Sequence, residues 1–470
     1  MDNSTLARPA VPTGAGPAPA SPGPTAEMAA WLSAFRPADL TPAARAWARA
    51  CLLDWSAVTV AGSAEPLSGM LRDELAPEAA SPPSGVRIVA ANGRRAAPTD
   101  AALINGAMSH ALDFDDVHRR MHGHPTVVIA PAVLALAEDL GASGDQLIAA
   151  FVAGLEIAGA LGAMMGDAHY EHGFHATATV GTVAAAAGCA QLMGLDPERA
   201  AWALSLAGAQ AAGLKASFGT MAKPLHAGRA ASNGLLSARL AARGFTARPD
   251  GLECEQGFGP TLSTAFAPAP FRPDPAAPFE VEEVLFKYHA ACYLTHSAIE
   301  SLKTLRAESG IGAEDLERLV LHVPVTHTRV CNIREPRSGL DVKFSIRSLA
   351  GLTLMGADTA ALDLYTDATA RDPKVAELRG RVEVDPRPVG TSPRHGAAIT
   401  LTTKDGRTFR AEANVGVPAT DLAAQQGRLE AKARAIATPV IGEARAEAMI
   451  AAAASLDGAP DLSALLDAIR

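Results

Sequence analysis

The sequence predicts a mainly α-helical protein, in which a smaller α+β domain is inserted into a large all-α helical domain. Helical apolar patterns fill the chain from residue 26 to about residue 270 and return from residue 421. Strand patterns lie between them. Aromatic residues make up only 4% of the chain and hydrophobic residues 48%, which indicates closely packed helices with small contact residues. We therefore expect a disordered tail at 1–25, a helical domain at 26–270 plus 417–470, and an α+β domain at 271–416.

Helix starts and apolar spacing define the helical domain. Thr41 followed by Pro42 is a helix start, because Thr caps free N–H groups and Pro fits the first turn. Trp47 and Cys51 then follow at helical spacing. Ser143 begins a long apolar helix that reaches residue 165. Further helices are predicted at residues 26–35, 99–110, 127–140, 173–194, 196–213 and 225–243.

Alternating runs and turn signals define the second domain. The Pro-rich residues 265–280 mark its boundary. Asp405 and Gly406 lie between two alternating runs and are a strong hairpin signal. Pro324 interrupts a run rich in Val and Leu, which predicts an edge strand, because proline cannot donate to a sheet ladder. Strands are predicted at 316–326, 381–384, 397–403 and 408–415, with helices at 292–308 and 344–356.

Charge and cysteine usage exclude several classes of partner. The net charge is -9, so we expect neither a nucleic-acid surface nor binding to an anionic membrane. The apolar residues 147–165 contain Glu156 and several glycines, which favours a buried helix over a membrane span. The five cysteines are scattered, without the spacing of a zinc ribbon or a disulfide framework. With no visible signal peptide, a reduced, cytoplasmic location is the simplest expectation.

The densest group of titratable side chains lies within residues 105–126. Three carboxylates and four histidines fall between two apolar helical patterns, which is unfavourable unless the groups are solvated, paired or used. We interpret this stretch as one wall of an active site. Acids near a helix start also act as caps, and Asp115 and Asp116 fit that role equally. The group comprises Asp113, Asp115, Asp116, His110, His118, His122 and His124.

Four further stretches carry candidate site residues. His175 lies at a Gly-bounded helix start, where free N–H groups favour anions. Lys223 has Met, Ala, Pro and Leu as neighbours, so its ammonium group is expected to meet a carboxylate, and His226 follows one turn later. Lys287 and Lys343 lie in the second domain. Each has an ordinary alternative, since histidines on apolar helices are usually core residues and lysines usually solvated.

Metal chemistry is one alternative for these residues. His118, His122 and His124 with Asp113 are possible ligands. His118 and His122 would face together only on a helix, which Gly123 disfavours. The sequence has neither a Gly-rich dinucleotide loop nor a Walker motif, so hydride and phosphoryl transfer are not supported. Two lysines and several histidines instead suit metal-free proton transfer next to a substrate carboxylate, with lysines stabilising the developing negative charge.

Taken together, these stretches resemble the MmgE/PrpD family, which includes 2-methylcitrate dehydratases, cis-aconitate decarboxylases and iminodisuccinate epimerases. The similarity spans about residues 27–460. It implies an all-α domain with an inserted α+β lid domain, commonly a homodimer, and neither a metal nor an organic cofactor. The matching stretches are HALDFDD from His110, His124-Pro125, GFHATATVG from Gly173, GTMAKPLHAG from Gly219, KYHAACYLTH from Lys287 and KFS from Lys343.

The resemblance also implies roles for single residues. His124 would be the leading proton donor or acceptor, with Asp113 and His175 beside it. Lys223 and Lys287 would hold substrate carboxylates, and His226 lies in the same motif as Lys223. These residues would form a site in the cleft between the two domains. Val117 is a departure, since the family often has Thr at that position.

The predicted function is a cofactor-free lyase, most simply a dehydratase, acting on a small di- or tricarboxylate. An epimerase would share the proton abstraction and return the proton to the other face. A decarboxylase would replace proton loss by loss of CO2. Two alternatives come from other classes. One is a non-catalytic binding protein of the same fold, and the other is a metal-dependent hydrolase that uses His118, His122, His124 and Asp113 as ligands.

Overall fold

The computed structural model of the chain describes residues 22–77, 85–274, 276–388 and 390–470. These residues are mainly helical, as predicted, and most of their strand residues belong to one four-stranded sheet. The predicted tail at 1–25 lies outside the described residues except at its end. There Pro24 and Thr25 already belong to the first helix, and the carboxylate of Glu253 accepts the N–H of Thr25 at 3.3 Å.

Helices dominate the first part of the chain. The hydroxyl of Thr41 accepts the N–H of Ala44 at 3.1 Å, so the predicted cap is confirmed. The elements are α1 (Pro24–Ala34), α2 (Pro42–Gly62), α3 (Pro66–Leu75), β1 (Val86–Arg87), β2 (Arg95–Ala96), α4 (Pro98–Ser109), β3 (Val117–His118), α5 (Thr126–Leu140), α6 (Gly144–His172), α7 (Ala176–Leu192), α8 (Pro197–Gln210), α9 (Ala222–Ala242) and α10 (Phe258–Leu262).

The helix α6 is longer than predicted but lies where the sequence places it. Ser143 and Gln146 cap its start reciprocally. It does not end at Met165. Gly166 takes non-helical torsion angles with φ of 62° and kinks the helix, which then resumes and ends at His172. Within the described residues, α6 is the one helix with the length and apolar composition of a membrane span, and 89% of its apolar window is buried inside the protein. That burial is typical of a core helix.

The second part of the chain mixes strands and helices before it returns to helices. Gly406, with φ of 83°, forms the predicted hairpin turn between the last two strands. The elements are β4 (Val284–Leu285), α11 (His296–Ser309), β5 (Leu316–Pro324), α12 (Val325–Val330), α13 (Gly339–Lys343), α14 (Ile346–Leu354), α15 (Asp367–Arg371), α16 (Pro373–Gly380), β6 (Val382–Arg387), β7 (Gly396–Thr403), β8 (Thr408–Asn414), α17 (Leu422–Ile441), α18 (Glu443–Ala454) and α19 (Ser463–Ala468).

The position predicted for β5 is wrong. The sheet order is β6-β5-β7-β8, so β5 is an interior strand, parallel to β6 and antiparallel to β7. Pro324 is the last residue of β5, opposite Arg387, and the antiparallel pairing with β7 has already ended at His322. A proline at the end of a strand leaves the ladder intact, and its position along the strand therefore matters more than its presence.

Two apolar clusters organise the packing. The larger one joins the helices of the first part to α17, α18 and α19, because α17 packs on α2. The smaller one, between Cys292 and Leu401, surrounds the sheet. The short antiparallel pair of β3 and β4 links the two parts of the chain beside the loop that follows α4. That the second part acts as a lid remains a prediction.

The helices α4 and α9 cross at unusually short range. A Cβ atom added to Gly106 would lie 2.8 Å from the Cα of Gly228, and one added to Gly228 would lie 2.1 Å from the carbonyl oxygen of Leu103. No side chain other than hydrogen fits at this crossing. As a result, the residues near the start of α9 approach the loop that leaves α4.

Candidate active site

The site is built on the loop that joins α4 to α5. The helix α4 ends at Ser109, and the chain turns at Asp113, whose φ is 52°. Few residues adopt this left-handed conformation, and Asp and Asn are among those that tolerate it best. The turn leaves the carboxylate of Asp113 between α9 and the segment that follows β4, and each of these contributes one lysine.

Both lysines bind the same carboxylate oxygen. Lys223 donates to Oδ1 of Asp113 at 2.8 Å, and Lys287 donates to it at 3.0 Å and to the main-chain oxygen of Asp113 at 2.6 Å. Although burial raises the pKa of Asp113, the two ammonium groups outweigh burial and hold that pKa well below its usual range. Burial lowers the pKa of Lys287, but Asp113 and Asp115 overcome this and raise it. Two ammonium groups on one carboxylate leave local positive charge.

His124 lies beside this group and is held from behind by Asp115. Its Nε2 is 3.8 Å from Oδ1 of Asp113, and its Nδ1 is 2.8 Å from Oδ2 of Asp115. The other oxygen of Asp115 accepts Nδ1–H of His110 at 2.9 Å. Burial raises the pKa of Asp115, but the two histidines outweigh burial and keep the carboxylate ionised. Nδ1 of His124 therefore faces Asp115, and its Nε2 faces the carboxylate that the lysines bind.

Neutral imidazoles surround the charged group. Burial lowers the pKa of His110 to about 4, so its ring is neutral near pH 7 and packs edge-on against His124 at 4.6 Å. His175 precedes α7 and shares a 3.3 Å hydrogen bond with His226 through their Nδ1 atoms. Burial, together with the positive charges nearby, lowers the pKa of His175. Nε2 of His175 has no hydrogen-bond partner among the described residues, which leaves it free for a ligand.

The six predicted site residues are thus close in space. Asp113, His124, Lys223 and Lys287 form the charged centre, while His175 and His226 line its side next to Phe218. The side chains of Asp113, His124 and Lys223 are partly exposed, and that of Lys287 is 1% exposed. The first three can therefore meet a ligand directly. Their catalytic roles remain predictions.

Comparison with known families agrees with this geometry. The MmgE/PrpD N-terminal domain matches residues 26–270, and the MmgE/PrpD C-terminal domain matches residues 289–458. The chain belongs to the MmgE/PrpD family. The family resemblance predicted from the motifs is confirmed.

Curated MmgE/PrpD relatives resemble the chain along most of its length. The human cis-aconitate decarboxylase is 29% identical over 391 residues, which cover 80% of each protein. The mouse cis-aconitate decarboxylase is 28% identical over 387 residues, covering 79% of this chain and 78% of the relative. The Aspergillus terreus cis-aconitate decarboxylase is 30% identical over 304 residues, or 60% of each. These relatives are enzymes, and the prediction of an MmgE/PrpD-type enzyme is confirmed.

The metal ligands considered as an alternative are not brought together in this MmgE/PrpD protein. Nε2 of His118 contacts a carboxylate oxygen of Glu280 at 3.3 Å, and Nε2 of His122 contacts Asp167 at 3.2 Å. Only His124 of the three histidines lies beside Asp113. The segment from His118 to His122 is the end of a two-residue strand followed by a turn, so the two histidines do not share one face of a helix.

A different set of side chains in the site has ligand-like geometry. One nitrogen or oxygen from each member lies within 4.8 Å of the others. Two ammonium groups already bind one of these carboxylates and would repel a cation, which disfavours a metal ion at this set. The members are His110, Asp113, Asp115 and His124.

Sequence reasoning missed some groups that shape the site. The motifs leave Asp115 outside the predicted site as a structural residue, yet it contacts His124 directly. Asp116 does have a structural environment, since it is buried, accepts a hydrogen bond from Thr126 at the start of α5, and burial raises its pKa to about 8. Phe218 was not considered, although its ring lies 5.0 Å from that of His175.

We expect the free energy of unfolding to be largest near pH 6.5. Burial lowers the pKa of nine of the 13 histidines, so below about pH 6.5 the unfolded chain binds more protons than the folded protein. The free energy of unfolding therefore decreases as the pH is lowered. Burial raises the pKa of Asp116 and Glu156 to about 8, so from about pH 4 to pH 8 the folded protein retains protons that the unfolded chain has lost. This lowers stability as the pH rises, and it outweighs the effect of the histidines only above about pH 6.5, where the unfolded histidines have lost their protons. The nine are His110, His122, His169, His175, His226, His289, His296, His327 and His395.

Thermal unfolding followed by calorimetry at constant ionic strength, from about pH 5 to about pH 8.5, measures this dependence. A flat unfolding temperature between about pH 5 and pH 6.5 would contradict the assignment of the buried histidines as neutral.

Proposed function

We propose that the chain is a cofactor-independent lyase that removes CO2 from cis-aconitate or a closely related unsaturated tricarboxylate. The observation that carries the proposal is the convergence of two lysines on one oxygen of Asp113, with Nε2 of His124 3.8 Å from that oxygen. The names of the curated relatives support decarboxylation over the dehydration that the motifs alone favoured. Dehydration of a citrate-like substrate uses the same groups and is the second outcome of the test.

The cationic centre suits a substrate with several carboxylates. Lys223 is partly exposed and can bind one substrate carboxylate while it keeps its contact with Asp113. The free Nε2 of the neutral His175 can donate to a second carboxylate. Lys287 is buried and donates to two oxygens of Asp113, so its charge acts on the substrate at short range with little solvent screening.

The reaction then needs two events. In cis-aconitate, one carboxylate sits on a CH2 group next to the carbon–carbon double bond. When the bond to this carboxylate breaks, its electron pair forms a new double bond, and the electrons of the old double bond move onto a conjugated carboxylate. The ammonium groups of Lys223 and Lys287 stabilise the negative charge that develops there.

Protonation completes the reaction. His124 donates the proton from Nε2 to the carbon that carried the old double bond, and the products are CO2 and an unsaturated dicarboxylate with five carbons. Asp115 holds the ring in the orientation that this transfer requires. Water then restores the proton on His124. No step in this sequence changes an oxidation state of the protein.

Product analysis in D2O tests the proposal. The purified protein is incubated with cis-aconitate, citrate, 2-methylcitrate and iminodisuccinate in parallel, and the products are followed by proton NMR. We expect release of CO2 from cis-aconitate and one deuterium on a carbon of the dicarboxylate product. Water elimination from a citrate, or deuterium exchange without CO2 release, would replace decarboxylation by dehydration or epimerisation. No turnover of any substrate would overturn the proposal.

Chelation addresses the metal alternative in the same assay. We expect unchanged turnover of cis-aconitate after dialysis against EDTA, because lysine ammonium groups already occupy the carboxylate that a cation would need. Loss of turnover that zinc restores would instead assign a metal to His110, Asp113, Asp115 and His124.

A further inference from the structure

A buried lysine far from the motifs lies directly behind the site. Lys432 belongs to α17, near the C-terminal end of the chain, and its side chain is 2% exposed. Its Nζ donates to the carbonyl oxygen of Phe114 at 2.7 Å and to that of Lys287 at 2.9 Å. It also lies 2.7 Å from Oδ1 of Asp54 on α2. The ammonium group thus donates to two main-chain oxygens and forms an ion pair with one carboxylate.

The two carbonyl groups belong to the segments that form the charged centre. Phe114 follows Asp113 directly, and Lys287 is itself one of the two lysines bound to Asp113. Only the short pairing of β3 with β4 otherwise joins these segments by main-chain hydrogen bonds nearby. Lys432 therefore links the main chain of Phe114, next to Asp113, to the main chain of Lys287.

Lys432 is not placed to touch a substrate. Its Nζ donates to two carbonyl oxygens and lies 3.9 Å from the centre of the Phe114 ring. Asp54 offsets its charge, and the side chains of both residues are almost fully buried. Burial lowers the pKa of Lys432 by more than Asp54 raises it. Because the ammonium group is paired with a carboxylate, the two residues together add no net charge to the site.

We propose that Lys432 is a positioning residue, which holds the main chain of Lys287 against the Asp113 loop so that the Lys287 ammonium group is set for the substrate. The proposal rests on the proposed function for its kinetic consequence, and on geometry alone for its structural consequence. A misplacement of about 1 Å in a catalytic group typically lowers activity about 100-fold. The expected effect of losing Lys432 is therefore on catalysis rather than on folding.

The test removes the charge pair as a unit. Lys432→Met alone leaves the carboxylate of Asp54 buried without its partner, and the protein could then fail to fold. We therefore use the double variant Asp54→Leu with Lys432→Met, since apolar residues of similar volume often replace a buried ion pair without loss of stability. The control is Arg434→Met with Glu447→Gln, which removes an exposed ion pair of 2.6 Å between α17, the helix of Lys432, and α18.

For the double variant we expect an unfolding temperature near that of the wild type, kcat/KM for cis-aconitate lowered about 10- to 100-fold, and a crystal structure with Lys287 Nζ displaced from Asp113 by about 1 Å. The control keeps wild-type kcat/KM. A folded double variant with wild-type kcat/KM and an unchanged contact of Lys287 with Asp113 would overturn the proposal. If the wild type does not release CO2 from cis-aconitate, the proposed function fails, and the crystal structure alone decides the role of Lys432.

Discussion

Replacing His124 by glutamine lowers kcat for cis-aconitate about 10³-fold, because the imidazole whose Nε2 lies 3.8 Å from the carboxylate that both lysines bind can then no longer donate a proton. Glutamine keeps a side-chain donor near Asp115, so the fold and the contact with Asp113 are retained. KM changes little, since His124 acts on the reacting carbon and not on a carboxylate. Steady-state kinetics with quantified CO2 release measures the effect.

The matched control for His124 is His172→Gln, an exposed histidine at the end of α6. It keeps wild-type kcat. If His124→Gln retains more than about a tenth of wild-type kcat while it is folded, His124 is not the proton donor, since general acid catalysis is worth at least about 100-fold.

Replacing Lys223 by methionine lowers kcat/KM for cis-aconitate about 10³-fold. The variant loses the partly exposed ammonium group that can bind a substrate carboxylate and stabilise the charge formed as CO2 leaves. Asp113 keeps its second lysine, so the pKa of its carboxyl rises only in part and the fold persists. Both KM and kcat change, because the same group binds the substrate and its transition state.

Two comparisons sharpen the result for Lys223. Lys303→Met, at an exposed position of α11, keeps wild-type kcat/KM. Lys287→Met also loses activity and is less stable than the wild type, since it removes a buried ammonium group that donates to two oxygens of Asp113. Wild-type kcat/KM in a folded Lys223→Met variant would show that this lysine serves only the structure of the Asp113 turn.

The sequence predicted much of the fold because helix ends are local events. A Thr or Ser hydroxyl and the residues three positions later settle where a helix begins, as at Thr41 and Ser143. The position of β5 in the sheet was predicted wrongly. The neighbours of a strand in a sheet depend on contacts with segments tens of residues away. Pro324 indicated only where β5 ends, not which strands lie beside it.

The candidate site shows the same division. His124, Lys223 and Lys287 belong to motifs, and the sequence indicated them before any distance was known. Asp115 was ambiguous, because a carboxylate next to a helix start looks the same whether it caps the helix or holds an imidazole. Lys432 lies 318 residues from Phe114, in an Ala-rich helix of ordinary composition. Only the tertiary packing of α17 on α2 brings it to the site.

The crossing of α4 and α9 has a consequence for how the pocket can be altered. Asp113 follows one helix and Lys223 begins the other, so the gap between their charges depends on how closely the two helix axes approach. That approach is possible because Gly106 and Gly228 have no side chains. A single methyl group at either position would act as a wedge between the helices. The distance between Asp113 and Lys223 can therefore be changed by a substitution at a position outside the candidate site.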